Sequence, residues 1–160
     1  MIHRRALLFS AMASHAAWVS GPRPGCQTNA YRVNPSNFDE LLAVLDKLKA
    51  YGYRGFETGF RNVQGRFASA METRKEIEKR EMEFIGCHIF LLQYDAATLL
   101  APADLVESII NGAPALGAHR LILSGASAGK DRAAMERKAK ALNAYGRMCR
   151  QNKLKLAYHN

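Results

Sequence analysis

Five stretches of this 160-residue chain end in side chains that can bind a metal ion or a hydroxyl group. They are Gln27, Asn29 and Tyr31; Glu57; His88; Ser124; and His159 followed by Asn160. A lone histidine at a strand end is usually satisfied within the structure, and Glu57 has Arg54 and Arg61 near it in sequence as ion-pair partners. Five such ends are less easily set aside. Two imidazoles and a carboxylate on one face suit a divalent cation, and the amides and hydroxyls around them suit a polyhydroxylated ligand.

Convergence requires that these residues sit at the same end of neighbouring strands. Short apolar runs begin at Gly25, Gly55, Phe84, Arg120 and Lys155, roughly 30 to 36 residues apart, a spacing typical of βα units. Gly25–Tyr31 reads as the first strand, Gly55–Thr58 as the second, Phe84–Phe90 as the third, Arg120–Ser124 as the fourth and Lys155–His159 as the fifth. The runs are continuously apolar rather than alternating, as in parallel strands covered on both faces.

Helical spacing separates the strands. Phe38, Leu41, Leu42, Leu45 and Leu48 follow a turn and cap at Asn34–Asn37, and Gly52 closes that helix. A charged helix contains Glu72 to Arg80; a third runs from about Ala103 to Leu116, with Pro114 expected to kink or stop it. A long basic helix runs from about Asp131 to Asn152. Two architectures fit: an incomplete (β/α)8 barrel, or an open five-stranded doubly wound sheet. Either places a ligand site at the carboxyl ends of the strands, where the polar residues lie.

The first segment differs in kind. Arg4-Arg5 precedes a short apolar run and the small residues Ser14-His15-Ala16, the pattern of an export signal over residues 1–22, with the paired arginines suggesting the twin-arginine route. Export to the periplasm is therefore expected; without a working signal the chain stays cytoplasmic. The apolar run is too short for a stable membrane span. Residues 23–160 form the domain.

Lys and Arg number 23 against 14 Asp and Glu, a net charge of +9. The basic residues are spread over helix faces without interleaved aromatics, so solvated faces explain them better than a nucleic-acid footprint. Cys26, Cys87 and Cys149 are too widely spaced for a disulfide framework or a cysteine zinc site. The loop Gly125–Lys130 is one residue short of a P-loop, and Asp131 stands where the metal-binding hydroxyl would be. No dinucleotide glycine fingerprint follows the first strand, and no nucleophile elbow is present.

The strand ends resemble those of the xylose isomerase-like superfamily of sugar phosphate isomerases and epimerases. Gly52-Tyr53-Arg54-Gly55-Phe56-Glu57 resembles its second-strand signature, Gly86-Cys87-His88 its third strand, and Tyr158-His159-Asn160 the start of its fifth-strand YHNH motif; Gly25-Cys26-Gln27-Thr28 is similar to its first strand. The resemblance spans about residues 25 to 160. It implies a partial (β/α)8 TIM barrel of about five βα units and, in a full-length parent, proton transfer next to a carbonyl assisted by a divalent metal (Mn, Mg, Co or Zn). Gln27, Asn29, Glu57, His88 and Asn160 become candidates for binding a sugar or polyol, and His159 a metal ligand; no catalytic residue is assigned.

The family's later strands, with most of its metal ligands, have no counterpart in these residues. The expectation is a fragment with little activity, no tight metal binding and a tendency to self-associate through the open barrel. Two alternatives stand beside it: a relative of abasic-site endonucleases, the superfamily's DNA-cleaving branch, or a non-enzymatic five-stranded α/β binding module.

Overall fold

The computed structural model describes residues 24–159. The leader over 1–22 and the substrate-binding candidate Asn160 therefore lie outside the described residues.

Helix α1 (Phe38–Ala50) starts where the Asn37 side chain accepts a hydrogen bond from the Asp39 N–H, with Asp39 and Glu40 in its first turn and Lys47 and Lys49 in its last. Gly52 follows it with φ +89°, a left-handed conformation that glycine takes without strain. Its apolar face, including Leu41, Leu45 and Leu48, is buried against the sheet. Full burial of each such side chain contributes about 1.5–3 kcal/mol.

The strands are β1 (Gly25–Gln27), β2 (Gly55–Gly59), β3 (Glu83–Ile89), β4 (Arg120–Ser124) and β5 (Lys155–His159). They pair in parallel in the order 1-2-3-4-5. That order decides between the two expected architectures. A doubly wound sheet reverses its strand order partway to place helices on both faces, whereas sequential right-handed crossovers put every helix on one face. The helices α1, α4 (Ala103–Gly112) and α5 (Arg132–Gln151) cover one side, and the chain is five consecutive units of a barrel. Phe56, Cys87, Ile89, Leu121 and Leu123 form the fully buried helix-facing layer. No helix among the described residues is long and apolar enough to cross a membrane.

Several expected boundaries move, the second and third strands by a single residue at their ends. The first strand ends at Gln27, and Thr28–Ala30 is a tight 3-10 turn because the buried Thr28 hydroxyl turns to donate to Thr58 Oγ1 at 2.7 Å. Asn29 and Tyr31 are therefore loop residues. The charged helix is preceded by a short helix, α2 (Arg61–Gln64), and itself occupies Ala70–Glu78 as α3. The helix before β4 changes to 3-10 geometry over Ala113–Leu116 around Pro114, and Gly117 (φ +98°) ends it.

One irregularity positions the site. Phe56 pairs with Phe84, and the two rings stack at 4.9 Å, but the next residue, Glu57, pairs with Gly86 rather than Ile85. Ile85 is the extra residue of the slip, and it lies across the inner face, where a Cβ on Gly25 or Gly55 would come within 2.4 or 2.5 Å of its Cδ1. Without the slip, alternation would turn Cys87 inward and His88 towards the helices. With it, Gln27, Glu57, His88, Ser124 and His159 share the face away from the helices.

Gly55→Val should destabilise the fold by about 1–3 kcal/mol, since Ile85 must be displaced and the Glu83 carbonyl restricts the space. Adding Ile85→Ala should recover part of that loss. Urea midpoints of the single and double variants check this; a double variant no more stable than Gly55→Val would show that Ile85 does not occupy this layer.

Candidate functional site

Glu57 does not pair with Arg54 or Arg61, the partners its sequence neighbourhood offered. Its Oε1 lies 3.2 Å from His88 Nδ1 and accepts a hydrogen bond from Gln27 Nε2 at 3.0 Å. On the other side of the ring, His88 Nε2 is 2.8 Å from Ser124 Oγ. The rings of His88 and His159 lie 5.4 Å apart, tilted by 42°. Side chains from all five strands thus meet at their carboxyl ends.

Donor and acceptor rules order this cluster. An ionised carboxylate only accepts, so Glu57 takes its hydrogen bonds from the groups around it. His88 Nδ1 faces both Glu57 Oε1 and Gln27 Nε2 at 3.2 Å, and its Nε2 faces the Ser124 hydroxyl. The Gln27 amide also donates to Glu57 Oε1. His88 is 4 % exposed and Ser124 6 %, so the ring is held away from bulk water with partners on both nitrogens. The hydrogen bond from His88 is the largest influence on Glu57, lowering its pKa; burial opposes it, while Gln27 and the nearby His88 and His159 lower it further.

Supporting bonds hold the strand ends. The Phe60 N–H donates to the His88 carbonyl at 2.9 Å, and Asn62 Nδ2 to Thr58 Oγ1 at 2.9 Å. Arg61 donates to the Phe90 carbonyl at 3.3 Å while its guanidinium lies 4.7 Å from the Phe60 ring centre. A cavity of about 270 Å³ opens here, with Asn29, Arg61, Asn62, His88 and Phe90 in its wall. Asn29 reaches this cavity without joining the Gln27–Glu57–His88 cluster. Arg61, Asn62 and Phe90 were not apparent from sequence; their one signal was position, directly after β2 and β3.

Cys87 and Cys149 are both buried, and burial pushes both thiols up, that of Cys149 to about 11. Neither is a nucleophile at neutral pH.

Among the described residues no three of His, Cys, Asp and Glu stand together as metal ligands. Both nitrogens of His88 are engaged, which leaves His159 and the second oxygen of Glu57 as available donors. Two donors fall short of the three or four protein ligands of a typical transition-metal site, so these residues do not by themselves fit one.

The fold is a partial (β/α)8 barrel, similar over part of their length to solved structures described as a sugar phosphate isomerase/epimerase and a xylose isomerase domain protein. One such structure is a sugar phosphate isomerase/epimerase from Parabacteroides distasonis: TM-score 0.67, 14% identity, 90% of this chain and 53% of that one. A D-psicose 3-epimerase with D-fructose matches at TM-score 0.63 and 14% identity, over 84% of this chain and 51% of that one. The 3-keto-D-glucoside 4-epimerase of E. coli matches at 0.61 and 12%, over 84% and 54%. The chain spans about half the length of these structures. No sequence-family model and no curated protein sequence matches it.

Because the native pKa of Glu57 is lowered, its stabilising contribution is complete above the ordinary carboxylate range and is lost as pH falls through the lower native value. Glu57→Gln should therefore show a flatter fall in urea midpoint than the parent between about pH 5 and pH 3. Ser124→Ala should keep the parent's slope. Parallel pH profiles for Glu57→Gln and the parent would remove the Glu57–His88 bond as the source.

Proposed function

We propose that this chain forms the substrate-gripping wall of a sugar or polyol isomerase/epimerase site. The observation that carries the reading is the single hydrogen-bonded cluster in which Gln27, Glu57, His88 and Ser124 meet beside a sugar-sized cavity. The sugar-processing structures with the same fold support it.

The chemistry of such a site is removal of a proton next to a carbonyl and its return, at the same carbon or its neighbour. A base for that step works best with a pKa near the operating pH. Glu57 is moved the wrong way, and its charge is already committed to His88 and Gln27. Its second oxygen is better suited to accept from a sugar hydroxyl, and His88, held from both ring nitrogens, to shape the wall. Glu57 is thus assigned to binding rather than to proton transfer. A divalent metal (Mn, Mg, Co or Zn) would supply carbonyl polarisation to such chemistry, with His159 the imidazole that would be offered to it, but the described donors of this cluster are too few to hold one and no step is routed through it.

Titrating the chain, labelled with nitrogen-15 at histidine, with D-fructose should shift the His88 and His159 ring signals. Glu57→Ala should weaken the binding at least tenfold, about 1.4 kcal/mol or more. Undisturbed histidine signals at saturating sugar would sink the proposal. Deuterium wash-in next to the ketone by the chain with Mn²⁺ would show a complete site and overturn its assignment as one wall.

A further inference from the structure

The cavity beside the cluster has a charged end that the cluster does not use. Its wall is built by the segments that leave β1, β2 and β3: Asn29, then Arg61 and Asn62, then Phe90 beyond His88. β2 lies inside the sheet with β1 and β3 on either side, so both flanks of Arg61 come from this chain rather than from an edge of the sheet. Arg61 is exposed, yet it is held in place. It donates to the Phe90 carbonyl at 3.3 Å, and its guanidinium lies 4.7 Å from the centre of the buried Phe60 ring. The first contact fixes an edge of the guanidinium plane and the second fixes a face. Of its five N–H donors the carbonyl takes one. Among the described residues Arg61 makes no ion pair, and no carboxylate lines the cavity. A guanidinium ordered in advance, with donors to spare, meets an anion at little further entropic cost.

Asn62 adds a second requirement. Its Nδ2 donates at 2.9 Å to Thr58 Oγ1, which also accepts from the Thr28 hydroxyl at 2.7 Å, and both threonines are buried. With the amide nitrogen tied back to the strand, the carbonyl oxygen of Asn62 is left for the cavity. That oxygen accepts from a hydroxyl and repels a carboxylate. An anion therefore belongs on Arg61, with a hydroxyl beside it on Asn62. In the neighbouring cluster Glu57, whose pKa is lowered chiefly by its hydrogen bond with His88, is an ionised acceptor as well. It favours hydroxyl donors and repels a second negative charge. The two ends of the site thus differ in sign.

We propose that the site selects sugar acids, with the carboxylate of the ligand on Arg61, the adjacent hydroxyl on Asn62 and the remaining hydroxyls towards Glu57. The inference rests on the sugar-binding reading above and adds which sugars enter and which way round they lie. A carboxylate suits these donors better than a phosphate. It is planar, carries a single charge and meets a guanidinium edge to edge in two parallel bonds. A phosphate spreads nearly two charges over three oxygens, and Arg61 is the one arginine or lysine among the described residues of the cavity wall.

The test follows the histidine ring signals of the nitrogen-15-labelled chain during titration with D-glucuronate and with D-glucuronamide, which differ at the terminal group alone. Glucuronate should bind roughly tenfold tighter or more, with the ratio shrinking as salt rises. Arg61→Gln should erase that preference. Arg61→Lys keeps the charge and loses the fork, and should retain a smaller preference than the parent. Lys75→Gln removes the same charge from the exposed side of α3 and should keep the parent's ratio, which separates a local contact from the overall charge of +9. A change that merely loosens the loop weakens both ligands together, so a preserved ratio in Arg61→Gln overturns the proposal, as does a ratio lost in Lys75→Gln. Equal binding of the two ligands while D-fructose still shifts the signals also overturns it, and leaves the sugar-binding reading standing. Glucose 6-phosphate binding more tightly than glucuronate, with the excess lost in Arg61→Gln, would replace the carboxylate by a phosphate. If no sugar moves the histidine signals, the sugar-binding reading fails and this inference with it.

Discussion

The candidate site depends on one extra residue in one strand. Ile85 lets β3 slip against β2, so that Phe84 still stacks on Phe56 in the core while Gly86 comes opposite Glu57. Strand alternation then carries the consequence across the sheet: His88 turns inward, Ile122 pairs with it, and Ser124 and His159 follow on the same face. Remove the slip and the residue offered to Glu57 becomes Cys87, while an imidazole goes into the apolar layer beneath the helices. The glycines at 25 and 55 belong to the same device. The inner face at their level is filled by the side chain of Ile85, and a methyl group at either position would contest that space. A one-residue irregularity beside a functional cluster is where a sheet re-aims a side chain.

Once aimed, the cluster orders itself by elementary bonding rules. A carboxylate that only accepts draws the donors around it. Each of these groups is then nearly spent. One oxygen of Glu57 faces both Gln27 and His88, and both nitrogens of His88 have partners, with Ser124 on one of them. Such a network binds and orients; it has little left with which to move a proton or hold a cation. This is why lowering the pKa of Glu57 and engaging both nitrogens of His88 point the same way, towards gripping a polar ligand.

Much of this could be read from the residues, and what could not has a physical reason. β4 occupies its expected span and β5 begins where its apolar run does, because turn residues precede both. The long basic helix agrees to within a residue, since Asp131 caps it through the Ala133 and Ala134 N–H groups. The convergence of Gln27, Glu57, His88, Ser124 and His159 followed from strand ends alone. The slip at Ile85 did not, because a run as apolar as Phe84–Phe90 has no alternation to betray its register. Asn29 passed as a strand residue because the turn that displaces it is set by a threonine pair thirty positions apart. The choice between barrel and open sheet rested on strand order, a long-range property that local pattern does not encode.

The last strand joins the two faces of the molecule. Tyr158 and His159 are neighbours in sequence, yet alternation sends one to the helix side and the other to the cluster. On the helix side Lys138 bridges Tyr158 and the carbonyl of Ala126, two residues beyond Ser124. On the inner side Ser124 pairs in register with His159 and bonds to His88. The ends of β4 and β5 are therefore clamped from both faces. A charge-assisted hydrogen bond contributes about 1.5–3 kcal/mol, whereas burying an ammonium without a counter-ion costs several. The carbonyl of Ala126 and the face of the Tyr158 ring are what the ammonium finds there, and through them Lys138 ties the loop after Ser124 to β5.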